Sequence, residues 1–183
     1  MERLSFASLT LSVMTSHKRL KLRQCTNCEC VINGVWEWVE ECARDAAAEE
    51  PAMRGILDDV CLSRNTLATS ISARLARKLS RRDMQRALIG PLIREALTED
   101  QNILSHIAQD LLAIVDRDPA CRTPLEPLLF YKGFHAITTY RISHWLWQHD
   151  RTIMALQFQR LASEVVAVDI HPAATIGCGL LLD

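Results

Sequence analysis

The cysteines near the start of the chain have the spacing closest to that of a metal site. Cys25, Cys28 and Cys30 lie in the segment CTNCEC, which contains one CxxC pair. A structural zinc site needs a second Cys or Cys/His pair, and His17 is the only histidine nearby. The seven cysteines of the chain are an odd number and mostly isolated, which argues against a secreted disulfide framework. We therefore expect no metal site and free thiols in a loose segment.

The histidines offer no clear catalytic pair. His135, His144 and His149 fall in an aromatic-rich stretch, but His144 and His149 are five residues apart and do not share a helix face. His106 lies alone in a predicted helix. The sequence has no G-x-S-x-G, phosphate loop or H-E-x-x-H, and Gly177-Cys-Gly179 lacks the third glycine of a dinucleotide-binding loop. These residues alone therefore name no reaction.

The apolar pattern predicts helices from about residue 35 to about residue 163. The first helix should carry a stripe at three- and four-residue spacing and end before Pro51; the stripe is Val35, Trp38, Val39 and Cys42. Residues 128–149 and 153–163 are also expected to be helical, with the aromatic side chains of the former packed inside.

Short polar residues indicate where three further helices begin. We expect Asn65, Asp83 and Asp100 to act as caps, Gly90-Pro91 to interrupt the second of these helices, and Asp118-Pro119 to end the third. The third helix should bury one apolar stripe, Ile103, Leu104, Ile107, Leu111, Ile114 and Val115. The first should present a solvated basic face, Arg74, Arg77, Lys78, Arg81 and Arg82.

The last twenty residues change period. Val165–Val168 has a β-branched, non-helical pattern, and Ile170, Ile176 and Leu182 then recur every six residues. A six-residue repeat with a branched apolar residue and glycine is typical of a hexapeptide β-helix. About two repeats are present, so the spacing alone is weak evidence.

Composition limits the partners. The 183 residues have a formal net charge of −1 and are 49% hydrophobic, which fits one folded domain with or without part of another. No apolar run approaches the roughly 20 residues of a membrane span. The sequence therefore predicts neither a nucleic-acid nor a membrane partner.

The first residues differ from the rest of the chain. Residues 1–24 carry five basic residues against one acidic residue, a balance of +4, and are rich in Ser and Thr. Transit peptides, disordered tails and sequence upstream of a true start share this composition. We expect a cytoplasmic protein with a disordered extension over residues 1–33, and keep organelle targeting by residues 1–24 as the alternative.

Several segments, in order, resemble serine O-acetyltransferases over about residues 35–183. They are Asp118-Pro-Ala-Cys121, Tyr131-Lys-Gly-Phe-His-Ala136, His144-Trp-Leu-Trp147, Val168-Asp-Ile-His-Pro-Ala-Ala174, Ile176-Gly-Cys-Gly179 and Asp183. The resemblance implies a mainly α fold: a helical domain at 34–163, followed at 164–183 by the incomplete start of a left-handed parallel β-helix. It also implies acetyl transfer from acetyl-CoA to L-serine, the first committed step of cysteine synthesis, with no permanently bound cofactor.

The resemblance implies roles for three carboxylates. Asp118 and Asp183 would bind the serine amino group, which needs a carboxylate partner. Asp169 would orient the catalytic histidine, because a serine hydroxyl needs a general base. In the family that histidine directly follows the residue matching Asp183, and His171 matches a different position. Without the family, Asp118 is an ordinary helix-ending Asp-Pro.

The residues that would follow Asp183 matter for activity. Residues 1–183 contain no counterpart of three parts of the family's proteins. These are the general base, most of the β-helix with its CoA groove, and the C-terminal segment that binds O-acetylserine sulfhydrylase. We therefore expect an N-terminal portion of the enzyme that is inactive alone.

Two other classes of protein remain open. Because the family's helical domain builds homo-oligomers, a non-enzymatic oligomerisation module or a dominant-negative partner of a full-length enzyme is the main alternative. A different hexapeptide acyltransferase is a third, which the helical-domain segments Asp118-Pro-Ala and Gly133-Phe-His-Ala136 disfavour.

Overall fold

The computed structural model describes Leu22 and residues 27–182. The first helix, α1, spans Cys28–Glu49, and the Asn27 side chain caps it by accepting a hydrogen bond from the Glu29 N–H at 3.0 Å. It begins seven residues before the apolar stripe predicts, so the expectation of a disordered extension over residues 1–33 is wrong for residues 28–33. It ends before Pro51, as predicted.

The expectation of free thiols in a loose segment is wrong for part of the cysteine cluster. Cys30 is disulfide-bonded, whereas Cys28 is a free, exposed thiol in the first turn of α1. Cys25 lies outside the described residues.

Helices account for most of the remaining described chain. A 3₁₀ turn at Pro51–Met53 leads into α2, Arg54–Leu57, and a π-helical turn at Asp58–Leu62. The later helices are α3 (Leu67–Leu79), α4 (Arg86–Glu99), α5 (Gln101–Arg117), α6 (Leu125–Leu129), α7 (Lys132–Gln148) and α8 (Thr152–Val166). Helix α7 packs along α8, α3 against α4 and α1 against α5. The large side chains between them, including Trp38, Phe134 and Phe158, form one core.

Helices α3 and α4 correct two predicted starts. The cap of α3 is Thr66, not Asn65, in a capping box with Thr69. Helix α4 begins after Gln85, not at Asp83.

The interruption expected at Gly90-Pro91 does not occur, because α4 runs through Pro91. Gly90 has no β-carbon to clash with the proline ring, which removes part of the usual cost. Helix α3 contacts α4 at this glycine, where Ser72 Oγ donates to the Gly90 carbonyl oxygen at 2.9 Å.

The basic face predicted on α3 is wrong at Arg74. Arg74 is 8% exposed, and its Nη2 donates to the carbonyl oxygen of Leu129 at the end of α6. Helix α6 lies over this part of α3, a tertiary contact that the charge pattern of α3 does not reveal. Arg77 is exposed, in agreement with the prediction, and contacts Asp59.

Helix α5 forms as predicted. Asp100 Oδ1 accepts a hydrogen bond from the Asn102 N–H at 2.9 Å, the predicted apolar stripe is buried, and Arg117 is the last residue before Asp118-Pro119.

The chain after α8 is irregular, with a turn at 172–173 and no strand among residues 167–182. Helix α8 continues to Val166, past the predicted boundary at 163, and Ala167 ends it in the left-handed conformation with φ 61°. The mainly α fold is thus confirmed. Among the described helices, none combines the length and apolar character that crossing a membrane requires.

Candidate functional site

Asp118 lies directly after α5, where a turn fixes its carboxylate. Its N–H donates to the carbonyl oxygen of Ile114 at 2.9 Å, which completes the last turn of the helix. Its Oδ1 accepts a hydrogen bond from the Ala120 N–H at 2.8 Å. The side chain is half-buried, so its other oxygen, Oδ2, is the atom with capacity for a ligand.

The loop after Asp118 holds the Cys121 thiol, and the Tyr131 phenol directly before α7 lies close to it; both groups remain uncharged at neutral pH. Burial raises the pKa of the Cys121 thiol to about 11, and the negative charges of Glu126 and Asp118 add to this shift. Burial and the neighbouring Cys121 raise the pKa of the Tyr131 phenol. Because a thiol reacts as its thiolate, Cys121 is a structural residue here and not a nucleophile.

Glu126 closes the same loop. Its Oε1 accepts hydrogen bonds from the backbone N–H groups of Arg122 and Thr123, each at 3.1 Å. The loop between α5 and α6 is therefore held at both ends by carboxylates, Asp118 and Glu126.

Residues 171–182, which we call the tail, return across α5 and α7. The Arg117 Nη1 donates to the carbonyl oxygen of Gly179 at 2.8 Å, and the His144 Nδ1–H donates to that of Pro172 at 2.7 Å. The Tyr140 hydroxyl donates to the carbonyl oxygen of Ala174. Side chains of the helical domain thus bind the tail through its backbone.

A buried ion pair also binds the backbone of the tail. Asp110 of α5 and Arg141 of α7 are 0% and 5% exposed, and Arg141 Nη2 lies 2.7 Å from Asp110 Oδ2. Asp110 Oδ1 accepts a hydrogen bond from the Leu180 N–H at 2.9 Å, and Arg141 Nη2 donates to the Gly177 carbonyl oxygen at 2.8 Å. The sequence pattern predicts a site at neither residue, although a carboxylate inside the apolar stripe of α5 is a signal for Asp110.

The three carboxylates singled out from the sequence are placed differently. Asp118 lies next to Arg117, which binds the tail, and Asp183 lies outside the described residues. Asp169 is exposed after α8, and its Oδ1 accepts a hydrogen bond from Gln159 Nε2 at 2.6 Å. The structure therefore brings the helix that ends at Asp118 to the segment that leads to Asp183, whereas Asp169 bonds to α8.

Three further histidines make packing contacts or hydrogen bonds to backbone carbonyl groups. His135 is fully buried, and its Nε2–H donates to the Leu128 carbonyl oxygen at 2.9 Å. His149 Nδ1–H donates to the Trp145 carbonyl oxygen at 2.8 Å. The His171 ring meets the Trp147 ring edge to face, with 5.2 Å between centroids.

Comparison with known proteins identifies relatives of this chain. Residues 35–139, more than half of the chain, match the family described as "Serine acetyltransferase, N-terminal". The serine acetyltransferase of Escherichia coli strain K12 is 39% identical over 149 residues, which are 81% of this chain and 55% of that protein. The chain thus spans about half the length of such relatives.

Solved structures give the same result. A Neisseria gonorrhoeae serine acetyltransferase in complex with serine is 39% identical, with a TM-score of 0.80 over 81% of this chain and 62% of the other. A serine acetyltransferase in complex with CoA is 37% identical, with a TM-score of 0.79 over 81% of this chain and 63% of the other.

Proposed function

Since this chain belongs to the serine acetyltransferase family, we propose that the whole protein transfers the acetyl group of acetyl-CoA to the hydroxyl group of L-serine. The products are O-acetyl-L-serine and free CoA. Solved relatives in complex with serine and with CoA support these two substrates.

In the proposed reaction Asp118 and Asp183 bind the serine ammonium group. The observation that carries this assignment is the hydrogen bond from Arg117 Nη1 to the Gly179 carbonyl oxygen, because it ties the residue before Asp118 to the segment before Asp183. The free Oδ2 of the half-buried Asp118 suits a charged ammonium partner. Asp169 would orient a general-base histidine, as in the resemblance.

The proposal also assigns a role to each segment of the chain. In this proposal the helical domain comprises residues 28–166, because α1 begins at Cys28 and α8 ends at Val166. The residues after it begin the β-helix, and those before it are an extension. The acetyl-CoA groove, the base and the sulfhydrylase-binding tail of the family correspond to segments outside residues 1–183. We therefore propose that the 183-residue polypeptide by itself does not acetylate serine.

Homo-oligomerisation through the helical domain belongs to the proposal. Ile153 and Leu156 on α8 are 82% and 40% exposed, which is the kind of apolar surface that a subunit contact covers. A non-enzymatic oligomerisation module, or a dominant-negative partner, is the second candidate function, and the same surface supports it. The proposal includes a cytoplasmic location for the protein.

The test compares two polypeptides with acetyl-CoA and L-serine, by the rate at which free CoA thiol appears. We expect serine-dependent thiol release from the protein expressed from its complete reading frame and none from residues 1–183 alone. Activity of the 183-residue polypeptide near that of the complete protein would refute the proposed inactivity. Acetylation of another acceptor, but not serine, by the complete protein would refute the proposed substrate.

A further inference from the structure

The buried pair Asp110 and Arg141 has more hydrogen bonds than a simple ion pair requires. Arg141 Nε and Nη2 both donate to Asp110 Oδ2, at 2.9 and 2.7 Å. The second carboxylate oxygen is left for the Leu180 N–H, and Arg141 Nη2 also reaches the Gly177 carbonyl oxygen. Asp110 and Arg141 therefore bind both each other and the backbone of the tail.

Stability alone does not account for this pair. Burying two charges costs desolvation, and well-packed apolar residues of similar volume often replace such pairs without loss of stability. Burial raises the pKa of the Asp110 carboxyl group, and Arg141 and the N–H groups of Leu180 and Gly179 act against that rise. What the charges provide that apolar side chains cannot is a directional hold on Gly177–Leu180.

The place of the pair along α5 connects it to the candidate site. Asp110 lies eight residues before Asp118, about 12 Å along the same helix. Leu180 lies three residues before Asp183, no more than roughly 10 Å along an extended chain. One helix therefore ends at one of the two proposed serine-binding carboxylates and, through Asp110, holds the backbone that leads to the other.

We propose that Asp110 and Arg141 are positioning residues, which fix Gly177–Leu180 against α5 and α7 and thereby hold the segment that leads to Asp183 beside the end of α5. The expected effect on serine binding rests on the proposed function, whereas the binding of Gly177–Leu180 by the pair does not. Neither residue is assigned a contact with substrate. Removing the pair should loosen the tail and weaken serine binding while leaving the helical core intact.

The first experiment measures the hold in the 183-residue protein. Asp110→Leu combined with Arg141→Met removes both charges without leaving one of them buried and unpaired, so the variant should still fold. We expect amide hydrogen exchange at Leu180 to become at least about tenfold faster, because its charged acceptor is gone. Arg141→Lys, which cannot span both Asp110 and Gly177, should give a smaller increase.

Asp83→Asn is the control for this experiment. Its carboxylate is exposed and bonds to Arg160 of α8, away from the tail, so exchange at Leu180 should be unchanged. Unchanged exchange at Leu180 in the folded double variant would overturn the proposal.

The second experiment measures catalysis by the protein from its complete reading frame. In the double variant we expect the KM for L-serine to rise at least about tenfold, with the KM for acetyl-CoA within about twofold of wild type. A merely structural role would instead lower the melting temperature or impair both substrates together. An unchanged KM for serine would overturn the catalytic consequence.

The two experiments separate this inference from the proposed function. If the complete wild-type protein fails to acetylate serine, the proposed function is wrong, and the exchange rate at Leu180 still decides whether the pair holds the tail. If the wild type is active and exchange at Leu180 does not change, the inference alone is wrong.

Discussion

The α-carbon of Gly133, in the first turn of α7, lies directly against the backbone of Leu182. A β-carbon at residue 133 would overlap the Leu182 carbonyl oxygen and come within 2.6 Å of its carbonyl carbon. The obstructing atoms belong to the backbone, so the clash cannot be relieved by a side-chain rotation. Gly133 therefore allows the backbone of Leu182 to lie against the start of α7.

Gly133→Ala should displace the tail without weakening the helical domain. Alanine favours the helix by up to about 1 kcal/mol over glycine, so the free energy of unfolding should not fall. We expect faster amide exchange over residues 177–182 and, in the complete protein, a raised KM for serine. Gly55→Ala is the matched control, because a β-carbon at Gly55 meets nothing within 4 Å. Equal tail exchange in the two variants would contradict the prediction.

Substitutions at Asp118 should distinguish its charge from its role in the turn. Asp118→Asn keeps an oxygen that can accept the Ala120 N–H but removes the negative charge, whereas Asp118→Ala removes both. We expect both variants of the complete protein to raise the KM for serine at least about tenfold, with the KM for acetyl-CoA nearly unchanged. Only the alanine variant should also lose stability. Wild-type serine kinetics in Asp118→Asn would show that the charge does not bind the substrate.

The features predicted correctly from the sequence depend on local chemistry. Asp100 caps α5 and Pro51 follows the end of α1, because capping and proline geometry act within one helical turn. Other features depend on tertiary contacts or on the residue before a proline. Arg74 is buried because α6 covers it, and α4 continues through Pro91 because Gly90 has no β-carbon to clash with the proline ring.

The candidate site was predicted only in part for the same reason. Asp118 was named through family resemblance, since an Asp-Pro at a helix end has no distinctive pattern of its own. Asp110 and Arg141 lie 31 residues apart and meet the tail a further 36 residues on, at Gly177. No local pattern encodes contacts of that range.

Asp59 should stabilise the junction of α3 and α4 in a salt-dependent way. It contacts Arg86 at 2.6 Å, Arg64 at 3.1 Å and Arg77 at 3.2 Å, and the hydrogen bond from Arg86 is the main cause of its lowered pKa. A lowered carboxyl pKa stabilises the fold above the unfolded value and loses this effect as pH falls through the folded value.

We expect Asp59→Asn to lower the free energy of unfolding by about 1 kcal/mol at low ionic strength and near neutral pH. The difference should shrink in high salt, because these partly exposed charges are screened. Urea denaturation at two salt concentrations measures it, with Asp83→Asn as the control for a single exposed pair. A loss that does not depend on salt would contradict the electrostatic explanation.

His135 should make the fold sensitive to mild acid. It is fully buried in α7, its Nε2–H donates to Leu128, and its Nδ1 has no hydrogen-bond partner in the described part of the chain. Burial lowers the pKa of His135 to about 4, and the positive charges of Arg74 and Lys78 add to this shift. Protonation would place a charge and an unpaired N–H inside the core.

The sign of the pH effect follows from these two states. Between about pH 6.5 and about pH 4 the unfolded chain binds a proton at this histidine and the folded chain does not, so stability falls as pH falls through that window. The shift corresponds to a loss on the order of 3 kcal/mol at the acid end.

His135→Gln can still donate to Leu128 but does not titrate. We expect it to cost some stability at neutral pH and to reduce the slope of unfolding free energy against pH. His149→Gln, at an exposed position directly after the same helix, is the control for the loss of stability that a histidine-to-glutamine substitution itself causes at neutral pH. A wild-type slope in His135→Gln would show that other groups cause the acid sensitivity.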